Sequence, residues 1–214
     1  MLLSGENFTT SMSANAGGAG YVAVPADYDG DGKTDVAVYN AAAGSWYVRK
    51  SGTNGATTLA VNWGGAGYDA VPADFDGDGR ADLALYVPST GDWHVLLSSA
   101  HYTTALNRSV GGTGYAPVPA DYDGDGQADF VVYNTAHGQW YGLLSPSGFT
   151  STINVGWGGA GYAPVKGDFD GDGRADLALY HAVSGNWYVL LSGASYSTAL
   201  SRAWGGAGDV PVPK

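Results

Sequence analysis

Asp27-Tyr28-Asp29-Gly30-Asp31-Gly32-Lys33-Thr34-Asp35 packs four carboxylates into nine residues, and the pattern recurs from Asp74, Asp121 and Asp168, each 47 residues after the last. Sixteen of the twenty acidic residues fall in these four loops; only Glu6, Asp69, Asp92 and Asp209 lie elsewhere. Carboxylates so crowded repel one another unless a cation sits among them. Loop positions one, three and five converge when the backbone curls, and glycine at positions four and six permits the curl. Position seven can add a backbone carbonyl and position nine a further carboxylate. Many hard oxygen donors, flexibly arranged, suit Ca²⁺ better than Mg²⁺. An EF-hand is excluded, because its twelfth position would fall on Val38, Leu85, Val132 or Leu179, and β-strand rather than helix follows.

The rest of the chain keeps the same step. Gly-Gly-x-Gly begins at Gly17, Gly64, Gly111, Gly158 and Gly205, and Trp46, Trp93, Trp140 and Trp187 are again 47 apart. Four full units follow, over residues 17–63, 64–110, 111–157 and 158–204, with the tail of a preceding unit in 1–16 and the start of another in 205–214. Each unit predicts four short strands. The first carries proline (Pro25, Pro72, Pro117, Pro119, Pro164) and must be an edge. The second is a short apolar run such as Leu83-Ala84-Leu85-Tyr86, suited to burial on both faces. The third starts at the repeating tryptophan, and the fourth is Thr-rich, as in Thr57-Thr58-Leu59-Ala60-Val61. Gaps of hairpin size make each unit one antiparallel sheet. Four-stranded units repeated in register predict an all-β fold, a β-propeller built from 47-residue blades with the acidic loop between strands one and two. A twisted side-by-side stack is the competing architecture.

Composition agrees. Gly is 35 of 214 residues and aromatics are 13 %, with 7 Trp and 15 Tyr, which excludes both a disordered tail and a helix-rich fold. A formal net charge of −11 argues against nucleic acid as a partner. Cysteine is absent, so disulfides and thiolate chemistry are excluded. No apolar run approaches the ~18 residues of a membrane span. The opening Met1-Leu2-Leu3-Ser4-Gly5 lacks the basic and long apolar regions of a signal peptide, which leaves a cytosolic chain or, as the expectation, a piece of a longer, secreted one.

The D-x-D-x-D-G-x-x-D loop, set in a Gly- and aromatic-rich unit, resembles the FG-GAP/VCBS repeat. Such repeats build the integrin α-subunit propeller and related bacterial and fungal propellers, Ca²⁺-containing lectins among them. The resemblance covers essentially the whole chain. It implies one Ca²⁺ in each loop, four per chain, held by Asp27, Asp29, Asp31, the Lys33 carbonyl and Asp35. The corresponding sets are Asp74, Asp76, Asp78, Arg80 and Asp82; Asp121, Asp123, Asp125, Gln127 and Asp129; and Asp168, Asp170, Asp172, Arg174 and Asp176. Where integrin repeats have Gly-Ala-Pro after strand two, this chain has Tyr39-Asn40-Ala41 or Tyr86-Val87-Pro88. The scaffold and its metal sites therefore carry over, and integrin-type ligand binding does not.

Signs of catalysis are few. The carboxylates are committed to metal, and His94, His101, His137 and His181 occupy unrelated positions of the repeat. Gly156-x-Gly158-x-x-Gly161 matches a dinucleotide fingerprint only formally, since no helix follows. The expectation is not an enzyme but a binding module. Trp63, Trp157 and Trp204 precede Gly-Gly-x-Gly loops, and Tyr68 and Tyr162 follow them. Flat rings beside exposed amides could stack on sugar rings, although packing between blades is the plainer role for these side chains. Two readings remain open: a lectin-like or adhesive module with glycans or cell-surface proteins as partners, and a structural, engineered or truncated blade array with no ligand beyond calcium. In either, head-to-tail pairing of two chains is expected to complete a ring of about eight blades.

Overall fold

The computed structural model describes residues 17–145 and 148–211, and within them the chain is all-β, a β-propeller of four blades. It divides into two compact units, Met1–Ala66 and Gly67–Lys214. The first unit holds one sheet, β1 (Tyr21–Ala23), β2 (Val36–Asn40), β3 (Ser45–Arg49) and β4 (Thr58–Asn62). The second holds three. They are β5 (Asp69–Ala70), β6 (Leu83–Val87), β7 (Asp92–Leu96) and β8 (Ala105–Ser109); then β9 (Tyr115–Pro117), β10 (Phe130–Asn134), β11 (Gln139–Leu144) and β12 (Ser151–Gly156); then β13 (Tyr162–Val165), β14 (Leu177–His181), β15 (Asn186–Leu190) and β16 (Ala199–Ala203). Every sheet runs in simple sequence order with antiparallel neighbours. The unit tail placed at 1–16, and residues 212–214 of the unit start placed at 205–214, lie outside the described residues.

Register explains the sequence pattern. Tyr39, Tyr86, Tyr133 and Tyr180 pair across the ladder with Trp46, Trp93, Trp140 and Trp187. The pair lies ring against ring, with centroids 4.7 to 5.2 Å apart. The second strand is buried on both faces, as the unbroken apolar run demands: Leu83, Ala84, Leu85 and Tyr86 are all buried. The first strand stops early in two sheets, β1 at Ala23 and β5 at Ala70, before Pro25 and Pro72. Proline has no N–H for the ladder there. Pro117 and Pro164 lie inside β9 and β13, which are edge strands and so need not donate outward.

Within the second unit the core lies between sheets. Phe75, Tyr86, Trp93 and Val95 from one sheet close on Phe130 and Val132 of the next. In turn Val131, Tyr133, Trp140 and Ile153 close on Leu177, Leu179 and Leu190. The tryptophan side of one sheet is thus covered by the opposite side of its successor. The last sheet has no successor among the described residues, and its Tyr180, Ala178 and Val189 form a small cluster of their own. Phe169 is 44 % exposed there, whereas Tyr28, Phe75 and Tyr122 at the same loop position are buried.

Candidate functional site

Each acidic loop links the first two strands and is wound on its own first aspartate. Asp74 accepts the N–H groups of Gly77 (2.6 Å) and Gly79 (2.8 Å), and Asp27, Asp121 and Asp168 repeat the arrangement. Both glycines sit at positive φ, Gly77 at 76° and Gly79 at 81°, which is why the loop needs them. Position nine is buried at the strand edge. Asp82 accepts from the Phe75 N–H (2.8 Å) and the Ser98 N–H (2.6 Å), and Asp129 from those of Tyr122 and Ser145 (both 2.8 Å). Burial, partly offset by these bonds, pushes the Asp82 and Asp129 carboxyls up to about 7.

Carboxylate oxygens converge to within 4.8 Å of one another in Asp27, Asp29 and Asp35, in Asp74, Asp76 and Asp78, in Asp121, Asp123 and Asp129, and in Asp168, Asp170 and Asp176. Positions one, three and nine form three of these clusters and positions one, three and five the other. Asp29 Oδ1, Asp76 Oδ1 and both Asp123 oxygens are inaccessible to solvent and have no hydrogen-bond partner. An ionised oxygen buried without a partner is costly, and a cation relieves it. An all-oxygen donor set of this density fits Ca²⁺. The seventh residues, Lys33, Arg80, Gln127 and Arg174, each donate a backbone N–H to the position-five aspartate. Three of their side chains also reach that aspartate as exposed ion pairs, at 3.2 to 3.6 Å.

One contributor escapes a reading of the loop alone. Ser51, Ser98, Ser145 and Ser192, in the turn after the third strand, put their hydroxyls on Asp31, Asp78, Asp125 and Asp172 at 2.8 to 3.0 Å. They too recur every 47 residues, which was the available signal.

The aromatic candidates lie elsewhere, around the Gly-Gly turns. Trp157 and Tyr162 are partly buried and pack on the core between the last two sheets, while Trp204 is 82 % exposed. Trp63 and Tyr68 are half-buried, and the Tyr68 ring meets the edge of the His94 ring at 5.8 Å. The indole N–H groups of Trp63 and Trp157 are buried without a partner. The amides of the second glycine are not free: those of Gly65, Gly112 and Gly159 donate to the hydroxyls of Tyr39, Tyr86 and Tyr133 at 2.7 to 3.0 Å.

With that geometry in hand, comparison with known proteins is informative. Residues 27–85 and 121–179, more than half of the chain, match the FG-GAP-like repeat. The chain belongs to the FG-GAP-like repeat family. Each matched stretch of this FG-GAP-like chain starts at an acidic loop and ends in the second strand of the next sheet. Among solved structures it is similar to a lectin of Agrocybe aegerita that recognises non-reducing terminal N-acetylglucosamine. That similarity has a TM-score of 0.57 and 19 % identity, covering 79 % of this chain and 48 % of that one. The FG-GAP-like chain thus spans about half of the lectin's length, and at this identity the likeness shows the fold. No curated protein gives a significant match. No described helix is long and apolar enough to cross a membrane.

Proposed function

We propose that this chain is a non-catalytic, Ca²⁺-loaded carbohydrate-binding module that works outside the cell. The observation that carries the reading is the set of buried, unpartnered carboxylate oxygens in the first three acidic loops, with the same convergence of carboxylates in the fourth. Calcium would be held by the four aspartates of each loop with the seventh-residue carbonyl (Lys33, Arg80, Gln127, Arg174), and its contribution is to neutralise and rigidify the loop. Glycans would meet Trp63, Tyr68, Trp157, Tyr162 and Trp204 around the Gly-Gly turns; the lectin propeller of similar fold supports this class of ligand. Affinity for Ca²⁺ should be roughly 10⁻⁴–10⁻³ M, as in extracellular modules. Thermal melts in EDTA and in millimolar CaCl₂, followed by glycan-array binding in the same two buffers, test both halves. Higher melting temperature with Ca²⁺ and Ca²⁺-dependent binding to glycans ending in N-acetylglucosamine are expected. Identical melts overturn the metal assignment; an array without signal in Ca²⁺ overturns the carbohydrate assignment.

A second reading, pairing of two chains head to tail, is favoured by unlike apolar surfaces. The last sheet exposes Phe169 (44 %) and Trp204 (82 %) on its tryptophan side, and the first sheet exposes Tyr47 (46 %) on the opposite side. Inside the second unit, surfaces of these two kinds cover each other. Sedimentation equilibrium at micromolar concentration should show a dimer that dissociates on dilution, and a monomer throughout overturns the pairing.

A further inference from the structure

We propose that Ser51, Ser98, Ser145 and Ser192 are positioning residues of the metal sites, so that each site is built from two loops, the acidic loop and the turn after the third strand. The inference rests on the reading of the acidic loops as Ca²⁺ sites and extends it to a segment with no acidic residue. Each serine is used twice. Its N–H donates to the position-nine aspartate, at 2.6 to 2.8 Å for Asp35, Asp82, Asp129 and Asp176. Its hydroxyl donates to the position-five aspartate of the same loop. One residue therefore ties together two carboxylates that stand four positions apart. Ser98, Ser145 and Ser192 are buried, so water does not substitute for the hydroxyl.

The following residue closes over position three. The Gly52 N–H donates to Asp29 Oδ2 at 3.2 Å, and the Ser99 hydroxyl donates to Asp76 Oδ2. A Cβ on Gly52 would stand 3.0 Å from Asp29 Oδ2, and one on Gly193 2.9 Å from Asp170 Oδ2. The turn thus covers positions three, five and nine at once. A neutral hydroxyl suits this place: it fixes the aim of one carboxylate oxygen without adding a charge that would compete with the cation. Losing a hydrogen-bond partner of a metal ligand costs about 10- to 100-fold in metal affinity.

The test replaces all four serines by alanine, which deletes the hydroxyls and keeps the N–H bonds. Ca²⁺ binding is read by calorimetry, and Tb³⁺ binding by luminescence sensitised through the nearby Trp and Tyr rings. The expected result is a dissociation constant raised at least about tenfold for both ions. Melts in EDTA drop in either case, so they report the structural share and the ion midpoints report positioning. Midpoints within twofold of wild type overturn the proposal. If the fourfold variant does not fold, Ser51→Ala alone is decisive, since Ser51 is only half-buried. One weakened equivalent in four supports the proposal, and four unchanged equivalents overturn it. Wild-type protein that binds neither ion removes the underlying calcium reading, a failure visible before any variant is made.

Discussion

Removing one phenolic oxygen should reveal how firmly the Gly-Gly turns are held, and the structure grades the outcome. Tyr86 is wholly buried; its hydroxyl accepts the Gly112 N–H at 2.7 Å and donates to the Gly112 carbonyl at 3.4 Å. Gly112 is itself buried, so Tyr86→Phe leaves an N–H that water does not reach. A net hydrogen bond is worth about 1 kcal/mol, and stranding a buried donor costs about 1–3 kcal/mol. The carbonyl contact is long and adds little, so the loss should total about 2–3 kcal/mol. In Tyr133→Phe the donor released, that of Gly159, is only half-buried, and the loss should be about 1 kcal/mol. Among the described residues the Tyr180 hydroxyl makes only the carbonyl hydrogen bond, to Gly206 at 3.2 Å, beside an exposed Trp204. Tyr180→Phe should therefore cost under about 1 kcal/mol. Urea unfolding in saturating CaCl₂, monitored by Trp fluorescence, reads these as shifts in midpoint at constant slope. Equal losses in all three variants, or a loss below about 0.5 kcal/mol for Tyr86→Phe, would refute the burial argument.

Gly91→Ala should be among the most damaging single changes, because φ is 82° and the new Cβ would stand 2.6 Å from the Gly111 carbonyl carbon; soluble yield and melting temperature should both fall sharply. In EDTA, Asp82 and Asp129 hold protons up to about pH 7 in the folded chain and release them near 3.8 when unfolded. Native protein then binds the extra protons between about pH 4 and 7, so metal-free stability should decline as pH rises through that window. Urea midpoints at pH 5 and pH 7 in EDTA check the sign, and a rising midpoint contradicts it. Asp123→Asn removes a carboxylate whose two oxygens lack partners and whose pKa is raised by burial and by Asp125 and Asp121. Its melting temperature should rise in EDTA, and one of four Ca²⁺ equivalents should weaken about tenfold or more in a calorimetric titration.

The strands and loops were legible because their signals are local. A Gly-x-Gly curl, a four-residue apolar run and a tryptophan opening a strand each state their role within a few residues. What escaped depends on partners distant in sequence. Tyr86 reads as the end of an apolar strand, yet its hydroxyl serves Gly112, 26 residues on. The glycine amides, read as open to a ligand, are for that reason occupied at the second glycine. Ser98 stands in a Ser- and Gly-rich turn where serine is unremarkable, and only the backward fold of that turn brings it to Asp78, 20 residues earlier. Identical sequence positions also part company according to neighbours. Trp140 is buried and Trp187 is not, because Leu177 and Leu179 cover the first and no described sheet covers the second.

The interleaved core of the second unit has an evolutionary corollary. Phe75, Tyr86 and Trp93 are encoded in one 47-residue period, but the Phe130 and Val132 that bury them belong to the next. The unit that a gene can duplicate is therefore out of step with the unit that excludes water. A copied period arrives as half a hydrophobic interface on each side and becomes stable only between neighbours of the same kind. Selection on such a chain acts on the junction between copies, and it favours repeats that stay alike where they touch. Freedom to diverge is left to the turns, where Ser99 stands at the place that Gly52 and Gly193 hold in other repeats.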